Sequence, residues 1–318
     1  MFLLTLLGYD PTQKDLTGGV LGLVKGYYGC VEAQGCGTLH CHMLVWLDGA
    51  LNPNEIRDRV TKNGDMEWGQ QLIRYLDDAI TNVIPDDPDP QLSVPSSIHH
   101  PCSVRGIDLE EPDLGLRLKS WLKDLYNIAK ECQIHSHTKT CYKYRRAGED
   151  LHCCFNHNED NFREMTEFDP ETAEICLRCL HGMVNNFNTT IIEAIRCNMD
   201  IKFIGSGESA KAILYYIMDY ITKTDLKTHV AFSALKLAVE KLGEYDPAAD
   251  EATIRAKWML QKCAYAMLSH QELSAQQVAS WLIGGGDHYT SHNFRNLYWM
   301  AFEASINAEK PSPECYKV

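Results

Sequence analysis

The chain has no surplus of positive charge: 30 Lys and Arg stand against 43 Asp and Glu, for a formal net charge of −13. That balance speaks against a general polyanion binder, because non-specific nucleic-acid affinity comes mainly from Lys and Arg neutralising phosphates. Any such contact must rest on local basic patches. Long apolar runs are also lacking, so no segment reads as membrane-spanning and no membrane partner is expected. The opening MFLLTLLGYDP has no positive n-region and no small-residue cleavage site, and reads as interior sequence rather than a leader. There is no internal repeat and no low-complexity tract. The GGGDH near Gly284 lacks the Lys-Ser/Thr of a phosphate-binding loop, and no ATPase or helicase motif is present.

What is there suffices for a real core: 318 residues, 45% of them hydrophobic, enough for one large domain or two ordinary ones. The 13 cysteines are an odd number at irregular spacing, which points to a reducing compartment with a subset available for metal. CLRC at 176–179 has no second pair at zinc-site spacing and carries no such reading.

Apolar runs rich in Val, Tyr and Trp flank a Gly-Cys-Gly turn and predict a hairpin over 26–34 and 38–48. Helical periodicity follows over 51–84, then a Pro- and Asp-rich stretch, IPDDPDPQLSVPSSIHHPC, reads as an exposed linker. A helix is expected over 116–132, and a Cys/His-rich, partly basic loop after it. The segment TTIIEAIRCNMDIKFIG should run from a helix into a strand at 199–204. GESAKAILYYIMDYITKTD reads as an amphipathic helix, and the chain from 228 onward as almost wholly helical.

Three constellations could carry chemistry. In the second hairpin strand His40 and His42 alternate with apolar residues, so both rings share one face. With the turn centred on Cys36, Glu32 faces His40, Cys30 faces His42, and Gln34 lies diagonal to His40. Two neutral imidazoles with a carboxylate or amide oxygen suit Mg, Mn, Zn or Co, with positions left for water or a phosphate. The competing reading is two core histidines, since short His-x-His matches arise by chance. On the helix from 207, Ala210, Ile213, Leu214, Ile217, Met218 and Ile221 form an apolar stripe. Tyr216, Tyr220 and Lys223, at i, i+4 and i+7, line one edge of it. They could supply hydroxyl nucleophiles beside a positive charge, or be half-buried flank residues. The loop residues His135, His137, Cys141, Cys153, Cys154 and His157 could close a structural Zn2+ site, although their spacing fits no standard finger.

The blocks YYGCVEAQGCGTLHCHMLVWL, HSHTKTCYKY with Cys153, VNNFNTTIIEAIRCNMDIKFIG, LYYIMDYITK and ELSAQQVASWLIGGGDHYTSHNF, in this order, resemble the amino-terminal nuclease region of Helitron transposases. These are HUH endonucleases related to rolling-circle replication initiators. The resemblance covers nearly the whole chain. It implies His40 and His42 as ligands of a catalytic Mg2+ or Mn2+, Glu32 or Gln34 completing the site, and Tyr216 and Tyr220 as nucleophiles. It also implies single-stranded DNA as partner and a nuclear location. Cys36 stands where the family usually has arginine. The family's earlier sheet strands and its following helicase domain are absent, so the sequence reads as a fragment or a shortened element.

The expectation is therefore an α+β fold: a small antiparallel sheet carrying the His-x-His hairpin, helices on one face presenting the tyrosines, and a helical carboxy-terminal extension. Residues 1–225 would form the nuclease domain, with a helical insertion and proline-rich linker at 51–130 and the Cys/His loop at 131–160. Residues 226–318 would form the extension. The expected activity is metal-dependent cleavage and transfer of single-stranded DNA through a 5'-phosphotyrosine. The alternative is a zinc-stabilised DNA-binding or interaction fragment with an inactive nuclease centre.

Overall fold

The computed structural model describes residues 2–10, 12, 18–33, 38–142, 148, 150–169, 174–222, 232–233, 235–237, 239–240, 252–269, 274–293 and 298–309. The architecture is mixed helix and strand with a small antiparallel sheet. Two compact units are present, one made of Met1–Lys25 with Leu47–Lys223, the other of Gly26–Trp46 with Thr224–Val318. No helix among the described residues is long and apolar enough to cross a membrane.

In the first unit, α1 (Pro53–Thr61) starts where Asn52 accepts the backbone N–H groups of Asn54 and Glu55 while Glu55 accepts that of Asn52. The helical pattern over 51–84 is two helices rather than one. Gly64, at a φ of 64°, breaks it, and Asp65 caps α2 (Met66–Ala79) by accepting from Trp68. The central helix is α4 (Leu114–Gln133), capped by Asp113. Leu125, Ile128 and Ala129 on α4 pack with Val184, Phe187 and Ile192, the last from α5 (Thr189–Ile195). A second apolar cluster joins Leu76, Ala79 and Ile80 to Leu72, Ile175, Leu177, Ile201 and Phe203.

Two expectations for this unit are corrected. The proline-rich stretch is not an exposed linker: Val94, Ser96 and Pro101 are buried, and the short helix α3 (Pro95–Ile98) lies on α4. There Asn127 donates to the Ser96 and Ser97 hydroxyls at 3.1 and 3.0 Å, and Lys123 meets Asp87 at 2.6 Å. Residues 199–204 form no strand: Ile201 and Phe203 pack into the apolar cluster, and Ile201 donates a single bond to the Asn186 carbonyl. Apolar burial suffices to hold this segment without a ladder partner. A two-stranded ribbon of β3 (Glu167–Phe168) and β4 (Ile175–Cys176), and α6 (Gly207–Thr222), complete the described elements named here.

The second unit holds the sheet, in the order β2-β1-β5, with β1 at Val24–Ala33, β2 at Leu39–Leu47 and β5 at His288–Thr290. β5 is a correction to the almost wholly helical carboxy-terminal reading. It runs antiparallel to β1, with Tyr28 opposite Thr290 and Cys30 opposite His288. Helices α7 (Ala252–Ser269), α8 (Ala275–Leu282) and α9 (Trp299–Glu309) follow the expected periodicity.

Candidate functional site

β2 is an edge strand, and its pleat sends His40 and His42 to one side. On the other side Gly29 of β1 leaves room for β2: a Cβ there would lie 3.1 Å from the Met43 methyl and 3.2 Å from the Cys41 sulfur. Tyr28, Cys30 and Glu32 consequently share the histidine face. The two imidazoles meet edge to face with centroids 4.6 Å apart. Glu32 Oε1 lies 3.2 Å from His42 Nε2, and both side chains are largely shielded, at 17% and 12% exposure. The carboxylate thus meets His42.

Burial holds the His40 imidazole below its ordinary value, the neighbouring His42 adds to this, and Glu32 opposes it. His40 therefore remains neutral near pH 7, with a lone pair to offer a cation. The sheet thiols are not nucleophiles there. Cys41 is pushed up to about 11 by burial and then by Cys30, and burial, with Asp287 and Glu32, raises Cys30.

The tyrosines belong to α6, in the other unit. Tyr216 is 50% exposed, and Tyr215 73%. The buried face of α6 is narrower than the apolar stripe suggests, because Ile217 is buried while Leu214 and Met218 are more than half exposed. Tyr220 is described only as backbone of the helix, and Gln34 and Lys223 lie outside the described residues.

The Cys/His loop comes together more tightly than the sheet residues. His135, just past α4, is anchored by its N–H to the Met183 carbonyl at 2.7 Å. Its Nε2 lies 3.3 Å from Cys141 Sγ and 3.6 Å from Cys153 Sγ. With His137 these residues present four donor atoms all within 4.8 Å of one another, a cluster compatible with a metal ion. The Thr138 N–H points at the Cys141 sulfur from 3.3 Å. That bond is the main reason the Cys141 thiol falls to about 7, against a rise from burial and with help from His137. His157 stacks on His135 at 4.4 Å and donates Nδ1–H to the Gly182 carbonyl at 3.2 Å. Cys154 is not in the cluster, since its thiol turns to the Thr140 carbonyl at 3.7 Å.

No family model, curated protein or solved structure matches the chain. Two features had no place in the sequence reading. His288, paired with Cys30 across β5 and β1, joins the histidine face and stacks near Tyr28 at 6.3 Å. His100, Cys102 and Cys132 form a second donor cluster within 4.8 Å, for which the only local signal is the His-Pro-Cys triplet at 100–102.

Proposed function

We propose that this chain is a metal-dependent single-stranded DNA endonuclease and strand transferase of the Helitron type, working in the nucleus. The observation that carries the reading is the shielded contact of Glu32 with His42, beside His40, on one face of an edge strand. One carboxylate oxygen and two imidazole nitrogens could take a divalent ion, but their donor atoms do not all lie within 4.8 Å of one another as those of the Cys/His clusters do. The 3.2 Å separation is that of a hydrogen bond, which a bound cation would replace. His40, His42 and Glu32 would hold Mg2+ or Mn2+, which polarises the scissile phosphate. The hydroxyl oxygen of Tyr216 or Tyr220 attacks phosphorus and loses its proton to solvent. The 3'-oxygen leaves as a free hydroxyl, and the 5'-phosphate stays on the tyrosine. Lys223 would offset the charge that develops. Because the phosphodiester energy is kept in the tyrosyl ester, a second hydroxyl can rejoin the strand without ATP.

The test is incubation of the purified chain with labelled single-stranded DNA and Mn2+, followed by a denaturing gel. A covalent adduct is expected, lost in His40→Ala, in His42→Ala and in the double variant Tyr216→Phe/Tyr220→Phe. An adduct that persists in the double variant overturns the tyrosine assignment, and a wild type without adduct overturns the activity.

The second reading is a zinc-stabilised DNA-binding or interaction fragment, favoured by the cluster of His135, His137, Cys141 and Cys153. Zn–S and Zn–N bonds of about 2.3 and 2.05 Å at the tetrahedral angle give an N···S edge of roughly 3.6 Å. The separations at His135 are 3.3 and 3.6 Å. A Zn2+ held there would tie His135, just past α4, to Cys141 and Cys153.

A further inference from the structure

The cluster at 100–102 lies outside everything used so far. Three segments far apart in sequence meet there: the turn Pro101–Ser103, the last turn of α4, and the chain just after α5. His100 and Cys102 are fixed to each other, because the Cys102 N–H points at His100 Nδ1 from 3.2 Å. Cys132 comes from α4, and its sulfur lies with the other two donors inside 4.8 Å. Arg196 ends α5 in a left-handed conformation at a φ of 53°. Its Nε donates to the carbonyl of Pro101, between His100 and Cys102, at 3.0 Å. The next residue is Cys197, whose thiol is raised by burial and by the nearby Cys102, although its sulfur lies outside the group within 4.8 Å. Arg196 is itself matched by Asp124 at 2.7 Å.

We propose that His100, Cys102 and Cys132, completed by Cys197, form a second zinc site that ties the proline-rich segment to the ends of α4 and α5. Three thiolates and one imidazole are a tetrahedral donor set for Zn2+, and soft sulfur selects it over Mg2+ or Mn2+. The site would add a covalent-strength tie to a segment already held on α4 by Asn127 and Lys123. The inference does not depend on the nuclease reading.

The test uses the whole chain, expressed with zinc and purified under reducing conditions. Elemental analysis should give about two equivalents, falling to about one in Cys132→Ser, with the remaining one lost only when Cys141→Ser is added. A second measurement needs no variant. Alkylation mapped by mass spectrometry should find Cys102, Cys132 and Cys197 protected in the zinc-loaded wild type and labelled after chelation. Cys102 is exposed, so without metal nothing shields it. Equal alkylation of Cys102 before and after chelation, zinc content unchanged in Cys132→Ser, or a Cys102–Cys132 disulfide in the freshly reduced protein would each overturn the site. Protection of Cys102 and Cys132 with free labelling of Cys197 would overturn its place as the fourth ligand.

Discussion

Replacing Asp124 with alanine should be among the most damaging single changes in the first unit. Its carboxylate takes two bonds from Arg196, at 2.7 and 2.9 Å, and the two side chains are only 7% and 11% exposed. The geometry is bidentate, and the Nε–H reaches the Pro101 carbonyl. Removing the carboxylate leaves a buried cation with one neutral acceptor, a situation that costs about 3–5 kcal/mol. At roughly 2–4 °C per kcal/mol for a unit of this size, the melting temperature should fall by about 10 °C. The loss should be local, so amide hydrogen exchange should quicken in α4 and α5 before other elements. Combining Asp124→Leu with Arg196→Met should recover part of the loss, because apolar replacement of a whole buried pair is often neutral or stabilising. Urea titrations of the singles and the double measure the coupling. If each single costs less than about 1 kcal/mol, the pair behaves like an exposed one and the argument from its burial fails.

Acid should destabilise the metal-free protein through His40. Its folded value is lowered, so between that value and 6.5 the unfolded chain binds more protons: stability is full above pH 6.5 and is lost as pH falls below it. Urea midpoints in EDTA at pH 7.5, 6.5 and 5.5 should show that slope, and His40→Gln should flatten it. Ile128→Ala, at a side chain with 0% exposure among Leu125, Val184 and Phe187, should cost about 2–5 kcal/mol by urea titration, with little change in slope. Cys141→Ser should release about one equivalent of zinc and Cys154→Ser none, since only the first sulfur faces His135.

The sheet and most helices were legible because their signals are local. His40 and His42 sit in an alternating run, Glu32 lies ten positions before His42, and the Gly-Cys-Gly sequence between them is a turn signal, so a shared face is predictable from residue numbers. The shared face was legible; that the carboxylate meets His42 was not. The break at Gly64 was also local, and the 51–84 reading passed over Asn63-Gly64-Asp65, a turn signal inside a helical pattern. β5 was harder to see: its three residues are set by Cys30 and Tyr28 more than two hundred positions earlier.

The proline-rich segment and the second cysteine cluster were illegible for one shared reason. Composition gave 85–102 the look of a linker, and nothing nearby says that Asn127 and Lys123 of α4 will capture Ser96, Ser97 and Asp87. Once α4 holds that segment, Cys102 is carried to Cys132, and the Arg196 bond to Pro101 brings the chain after α5 to the same place. A cluster assembled by tertiary hydrogen bonds has no spacing rule, whereas the four residues from His135 to Cys153 come from one loop and show as a run of Cys and His. If the second site holds zinc, loss of Asp124 should lower the affinity at Cys102 and Cys132 and leave Cys141 and Cys153 unaffected. Chelator competition on Asp124→Ala, read by alkylation of each cysteine, should show the Cys102 site releasing zinc first. Simultaneous release from both sites would mean that the ion pair does not position the cluster.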